Sequence, residues 1–104
     1  MERKMRSRLE LHNELLEILE HCYFQPPESV KLVYPCIVYS LDNVDTRYAD
    51  DIRYHNMKRY TLTLIEKNPD TPYLEQILEK FQYCRHDRRY VTDNLTHDAF
   101  SLYY

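Results

Sequence analysis

The residues of this 104-residue chain with chemical potential are five histidines, three cysteines and the acids of one polar stretch, Asp42, Asp45, Asp50 and Asp51. A metal centre needs ligands that converge and are oriented from behind, and no two of His12, His21, His55, His86 and His97 sit four apart on a helix. His86 and His97 could meet across a final hairpin, with Cys84 or Asp98 beside them, and a Cys84–imidazole pair would imitate an activated thiol. Neither an orienting third group nor an oxyanion-hole signature accompanies it. The acids could take a divalent cation, but the glycine and terminal glutamate of a calcium loop are missing. Cys22, Cys36 and Cys84 form no CxxC pair and are odd in number, which reads as reduced, mostly buried thiols of a cytosolic protein. We therefore expect no catalytic, metal or cofactor site.

Composition narrows the elements that must position these residues. Glycine is absent, where average usage predicts about seven, so Gly-rich phosphate loops are excluded. Positive φ angles must then fall to Asn or Asp, at Asp42-Asn43, Asn68, Asp70 or Asp93-Asn94. Eleven tyrosines against three phenylalanines suit surfaces that are half buried and half wet. A net charge of −3 argues against a polyanion partner, and the clusters Arg3–Arg8 and Arg85–Arg89 read as solvated element ends. A chain of this length buries about 65% of its unfolded surface, enough for one domain but with little reserve. No apolar run reaches the roughly 20 residues that span a bilayer, and no signal peptide is visible.

Periodicity gives the order of elements. Arg3 to about His21 reads as an amphipathic helix whose stripe holds Met5, Leu9, Leu15, Leu16 and Leu19, joined by His12 and widened by Leu11 and Ile18. Pro26-Pro27 forbids its continuation. Phe24 to Tyr34 is an extended connector and Pro35–Leu41 a largely buried strand. Lys58–Glu66 alternates, with Tyr60, Leu62 and Leu64 facing one way and Arg59, Thr61 and Thr63 the other. Thr71 as N-cap, Pro72 and Glu75 open a second helix with Leu74, Ile77, Leu78 and Phe81 inward. Strands Tyr83–Val91 and Thr96–Tyr104 close the chain around an Asp93-Asn94 turn. The expected fold is α+β: a single domain with a mainly antiparallel four-stranded sheet, two helices on one face, and a long polar arm, about 43–56, between the first two strands.

That arm is too long for a hairpin turn, and long loops in small domains are usually functional or disordered. Its Tyr48 and Tyr54 interleave with Arg47 and Arg53, the composition of protein–protein hot spots. The expected partner interface is Asp45, Arg47, Tyr48, Asp50, Asp51, Arg53, Tyr54 and His55. Its rival is a floppy loop with incidental aromatics.

Tyr23–Tyr39, Asp45–Asp50, Lys58-Arg59-Tyr60 and Thr92–Asp98 together resemble the tail terminator (tail completion) group of tailed bacteriophages, encoded among head-to-tail joining genes. The likeness spans Glu17 to Tyr104. It implies a non-enzymatic virion subunit, assembled in the host bacterial cytoplasm, that forms a ring, typically hexameric. Such a ring caps the tail tube, ends its polymerisation and meets the neck proteins; DNA passes through the lumen without sequence-specific recognition, and no membrane is involved. Alternatives are another neck component of stopper or adaptor type, a host-factor-binding module, or a small hydrolase or metal-dependent nuclease.

Overall fold

Helix α1 (Arg8–Leu16) begins where Ser7, with extended backbone, accepts the Glu10 N–H on its Oγ at 3.1 Å while Glu10 Oε1 accepts the Ser7 N–H at 3.2 Å. These reciprocal bonds satisfy two of the donors that a helix start leaves unpaired. In the computed structural model, which describes residues 7–45 and 57–104, with side chains for 7–42 and 58–104, α1 is followed by β1 (Cys22–Phe24), β2 (Cys36–Asp45), β3 (Met57–Glu66), α2 (Tyr73–Lys80), β4 (Cys84–Thr92) and β5 (Leu95–Tyr103). The chain is a small α+β domain with a five-stranded mixed sheet of order β1-β2-β3-β5-β4.

The expected four-stranded antiparallel sheet is thus corrected by one strand. β1 lies parallel to β2, pairing Cys22 with Ile37 and Phe24 with Tyr39, where a connector was expected from Phe24 onward. Three residues are too few to show an alternation, so only the tertiary pairing reveals this strand. It is fastened at both ends: the Ile37 N–H donates to the His21 carbonyl and the Gln25 N–H to the Tyr39 carbonyl, each at 2.9 Å. Gln25 itself has φ 43°, a positive angle outside the Asn and Asp positions expected to supply it. Its side-chain oxygen accepts the Leu41 N–H at 3.1 Å, which holds the turn in place. Asp93 and Asn94, at φ 53° and 63°, do form the expected turn between β4 and β5.

Both helices cover one face. Leu11, Leu15 and Leu19 from the α1 side and Ile77 and Phe81 from the α2 side bury Ile37, Tyr39, Tyr60, Leu62, Leu64, Phe100 and Leu102. The alternation of β3 is as read from sequence, but the helix stripes are not. Leu9 and Leu16 stand 63% and 42% exposed, while Leu11 is fully buried. The spacing Leu11-Leu15-Leu19 repeats every four residues and wins the inward face; α1 is also shorter than Arg3–His21, its start fixed at Ser7. In α2, Leu78 is exposed, and the helix starts one residue later than expected, with Pro72 in the cap position and Phe81 just past its end. Thr71 still contributes, its Oγ1 accepting the Tyr73 N–H at 3.2 Å.

Leu15→Ala should lower unfolding free energy by about 3 kcal/mol through the cavity it opens. Leu9→Ala should stay within about 0.5 kcal/mol of the parent. Urea unfolding of both variants checks which stripe is the core.

Candidate functional site

The expected arm starts later than 43. Asn43, Val44 and Asp45 continue β2, paired with Arg59, Lys58 and Met57 beyond a register shift at Asp42. β-Propensity favoured an earlier stop, and the bulge at Asp42 is what lets the ladder run on. Asp45 therefore ends a strand, while Arg47, Tyr48, Asp50, Asp51, Arg53, Tyr54 and His55 lie outside the described residues. The root of the excursion is firmly tied: Arg59 pairs with Asp42 at 2.8 Å, and Lys58 and Tyr104 exchange backbone hydrogen bonds of 2.9 Å.

The sheet face away from the helices carries cross-strand rows. Val38, Thr63, Ala99 and Arg88 form one; Ser40, Thr61, Ser101 and Arg85 form the next. Small and β-branched side chains thus make the middle of the face, and arginines stand along its β4 border. A hollow of about 150 Å³ opens at the root end between Tyr83, Arg85, Ser101 and Tyr103. Beside it Asp87 accepts from Ser101 Oγ at 2.6 Å and from Arg85 Nε at 2.8 Å. Burial alone would raise the Asp87 carboxyl, but these two hydrogen bonds, with the charges of Arg85 and Arg59, hold it below the ordinary range.

Asp87 is also the residue at which β4 shifts register against β5, between His86 and Arg88. A residue inserted in one strand reverses the facing of everything after it. His86 before the bulge and Arg89 after it therefore both reach Asp98, which is 1% exposed. Arg89 donates from Nε to Oδ1 at 2.8 Å and from Nη2 to Oδ2 at 3.1 Å, and His86 Nε2 lies 2.9 Å from Oδ1. Burial would push the Asp98 carboxyl up; the hydrogen bonds and charges of Arg89 and His86 hold it down. Sequence reasoning placed His86 near Asp98 but missed Arg89, because a bulge leaves no mark in residue spacing.

His97 does not join them. It faces the opposite side, its ring stacked on Tyr90 with centroids 4.8 Å apart and Nδ1–H donating to the Leu95 carbonyl at 3.1 Å. Burial drives the Cys84 and Cys36 thiols up to about 12 and Cys22 to about 11, so all three stay protonated and weakly nucleophilic at neutral pH. Among the described residues no group of three His, Cys, Asp or Glu side chains is arranged to hold a metal ion.

A second polar chain fastens α1 to the sheet. Arg8 donates to the buried Tyr39 hydroxyl at 3.4 Å, and that hydroxyl in turn meets His12 Nδ1 at 2.6 Å, donating to the neutral imidazole. Burial and the Arg8 guanidinium lower the His12 pKa, in keeping with that role. The Tyr104 hydroxyl donates to Glu14, and Lys80 reaches Glu17 at 2.9 Å to join the helices. No described helix is long and apolar enough to cross a membrane. Comparison with protein-family models, with curated proteins and with solved structures returned no match.

Asp98→Ala should cost about 1.5 kcal/mol, the loss of hydrogen bonds to a charged group, because Arg89 and His86 are left exposed enough to be rehydrated. The acid limb has two parts. Protons bind His12 more readily in the unfolded chain, so stability falls as pH drops below about 6.5. The contribution of Asp98, complete above about pH 4, is lost as pH falls further. His12→Gln should flatten the first part and leave the second, as read by thermal melts across pH.

Proposed function

We propose that this protein is a structural, non-enzymatic subunit of a tailed-bacteriophage virion, of the tail terminator group. It assembles in the host bacterial cytoplasm into a ring, hexameric in the usual geometry, that caps the tail tube and meets the neck proteins while DNA passes through its lumen. Besides the resemblance over Glu17–Tyr104, one structural observation carries the reading. Two helices cover one sheet face, while the middle of the opposite face is only half-buried and the outer edge of β4 is exposed, with Val91 69% exposed and Tyr90 37%. A ring subunit needs two different surfaces, one for each neighbour, and such a layout offers them.

The polar constellations fit the same reading. His86 and Asp98 are engaged with each other and with Arg89, the Asp87–Ser101 pair is internal, and the thiols are held protonated. Each secures strands or helices rather than presenting a reactive atom. The arm, rooted at Asp45 and Met57, is the assembly contact onto a neighbouring subunit or the tail tube, through Arg47, Tyr48, Asp50, Asp51, Arg53, Tyr54 and His55.

Removing residues 46–56 and closing the gap with a short hairpin turn should abolish ring formation in native mass spectrometry. Tails assembled with that variant should lack their normal fixed length under the electron microscope. A ring and tails indistinguishable from the parent would refute the assignment of the arm.

A further inference from the structure

Helix α1 carries twice the leucine that its buried side uses. Of Leu9, Leu11, Leu15 and Leu16, only Leu11 and Leu15 go inside, while Leu9 is 63% and Leu16 42% exposed. The exposed pair stand seven residues apart, two turns of helix, so they share one stripe about 10 Å long on the flank of α1. Charge along the same helix is divided end from end. Arg3, Lys4 and Arg6 precede it and Arg8 opens it, whereas Glu14, Glu17 and Glu20 close it and its last turn holds no basic residue. Carboxylates at a helix C-terminus oppose its dipole, which favours cations there. Lys80 meets Glu17, yet Glu17 stays 67% exposed, and Glu20, 3.5 Å from His21, is 85% exposed.

Both patterns reverse about the midpoint between His12 and Asn13. Counting outward from it, Leu9 corresponds to Leu16, Arg8 to Glu17, and Met5-Arg6 to Glu20. A second α1 laid antiparallel on the first therefore sets leucine on leucine and cation beside anion, each twice, through a two-fold axis. This is the self-complementary patch that an isologous contact requires. Residues 1–6 lie outside the described residues and join the helix at its cap, Ser7, next to Leu9. They extend the basic end of the stripe by six residues, far enough to lie along the acidic end of a second helix. A parallel pairing would instead bring Glu17 and Glu20 against their like, which is unfavourable.

We propose that two copies of this chain pair through α1, antiparallel about a two-fold axis, with Leu9 of each on Leu16 of the other and residues 1–6 of each beside Glu17 and Glu20 of the other. The pairing is independent of the ring reading and of the arm. A two-fold contact doubles whatever particle the chain forms, one subunit or one ring. Sedimentation velocity and native mass spectrometry of the full chain over a wide concentration range read that doubling, with circular dichroism reporting the fold. Leu9→Ala, which the core does not need, should weaken it about tenfold or more. Leu78→Ala, at an exposed leucine of α2, should leave it unchanged. Arg6→Glu and Glu20→Arg should each weaken doubling alone and recover it when the two variants are mixed, because only the mixed pair sets cation beside anion at both ends. The pairing is overturned by a parent that never doubles, by charge variants that double as the parent does, by a mixture that behaves as its separate components, or by a Leu78→Ala variant weakened as much as Leu9→Ala. Each of these outcomes leaves the ring reading standing, since that is read from the arm deletion.

Discussion

Covering a single apolar face with two short helices is the constraint on which the rest of this structure depends. Tyr39, Tyr60, Leu62, Leu64, Phe100 and Leu102 line that face, and α1 and α2 are nine and eight residues long. Helices of this length are marginal alone and are held by packing. Each inward leucine or isoleucine therefore matters more than propensity does. The covering layer is also pinned by polar ties, from Arg8 and His12 to Tyr39, from Tyr104 to Glu14 and from Lys80 to Glu17. Tyr39 serves both functions, since its ring packs in the core and its hydroxyl meets the helix.

With the helices spent on one side, the opposite face and the β4 edge must survive contact with water. Threonine, serine, alanine and valine occupy the middle of that face, and β4 carries Arg85, Asp87, Arg88 and Arg89 together with a bulge. Charges and bulges are the usual means of keeping an open strand edge from pairing indiscriminately. The bulge at Asp87 does more than blunt the edge. By reversing side-chain facing it delivers Arg89 as well as His86 to Asp98, so the one deeply buried carboxylate among the described side chains has hydrogen-bond partners on both sides of the irregularity.

The strong local signals were legible. The β3 alternation, the Asp93-Asn94 turn in a glycine-free chain and the Thr71-Pro72 start of α2 each follow from a side chain acting on its own backbone. Less was legible where two patterns competed. Leu9, Leu16, Leu11 and Leu15 all fit helical spacing, and only the sheet beneath decides that the last two go inside. Of the candidate site, the nearness of His86 and Asp98 could be guessed from hairpin pairing, while the separation of His97 to the opposite face depended on register.

Sequence by itself determined both helices, the four longer strands and their order, the α+β class and the absence of glycine-built loops, because these follow from periodicity, capping and φ preferences acting over a few residues. Tertiary structure alone decided the fifth strand, the facing of β4 after Asp87 and the inward stripe of α1. Each of these depends on which distant segments lie side by side. β1 exists because the Tyr39 carbonyl and the Ile37 N–H find partners in Gln25 and His21, a long-range match that no local pattern encodes.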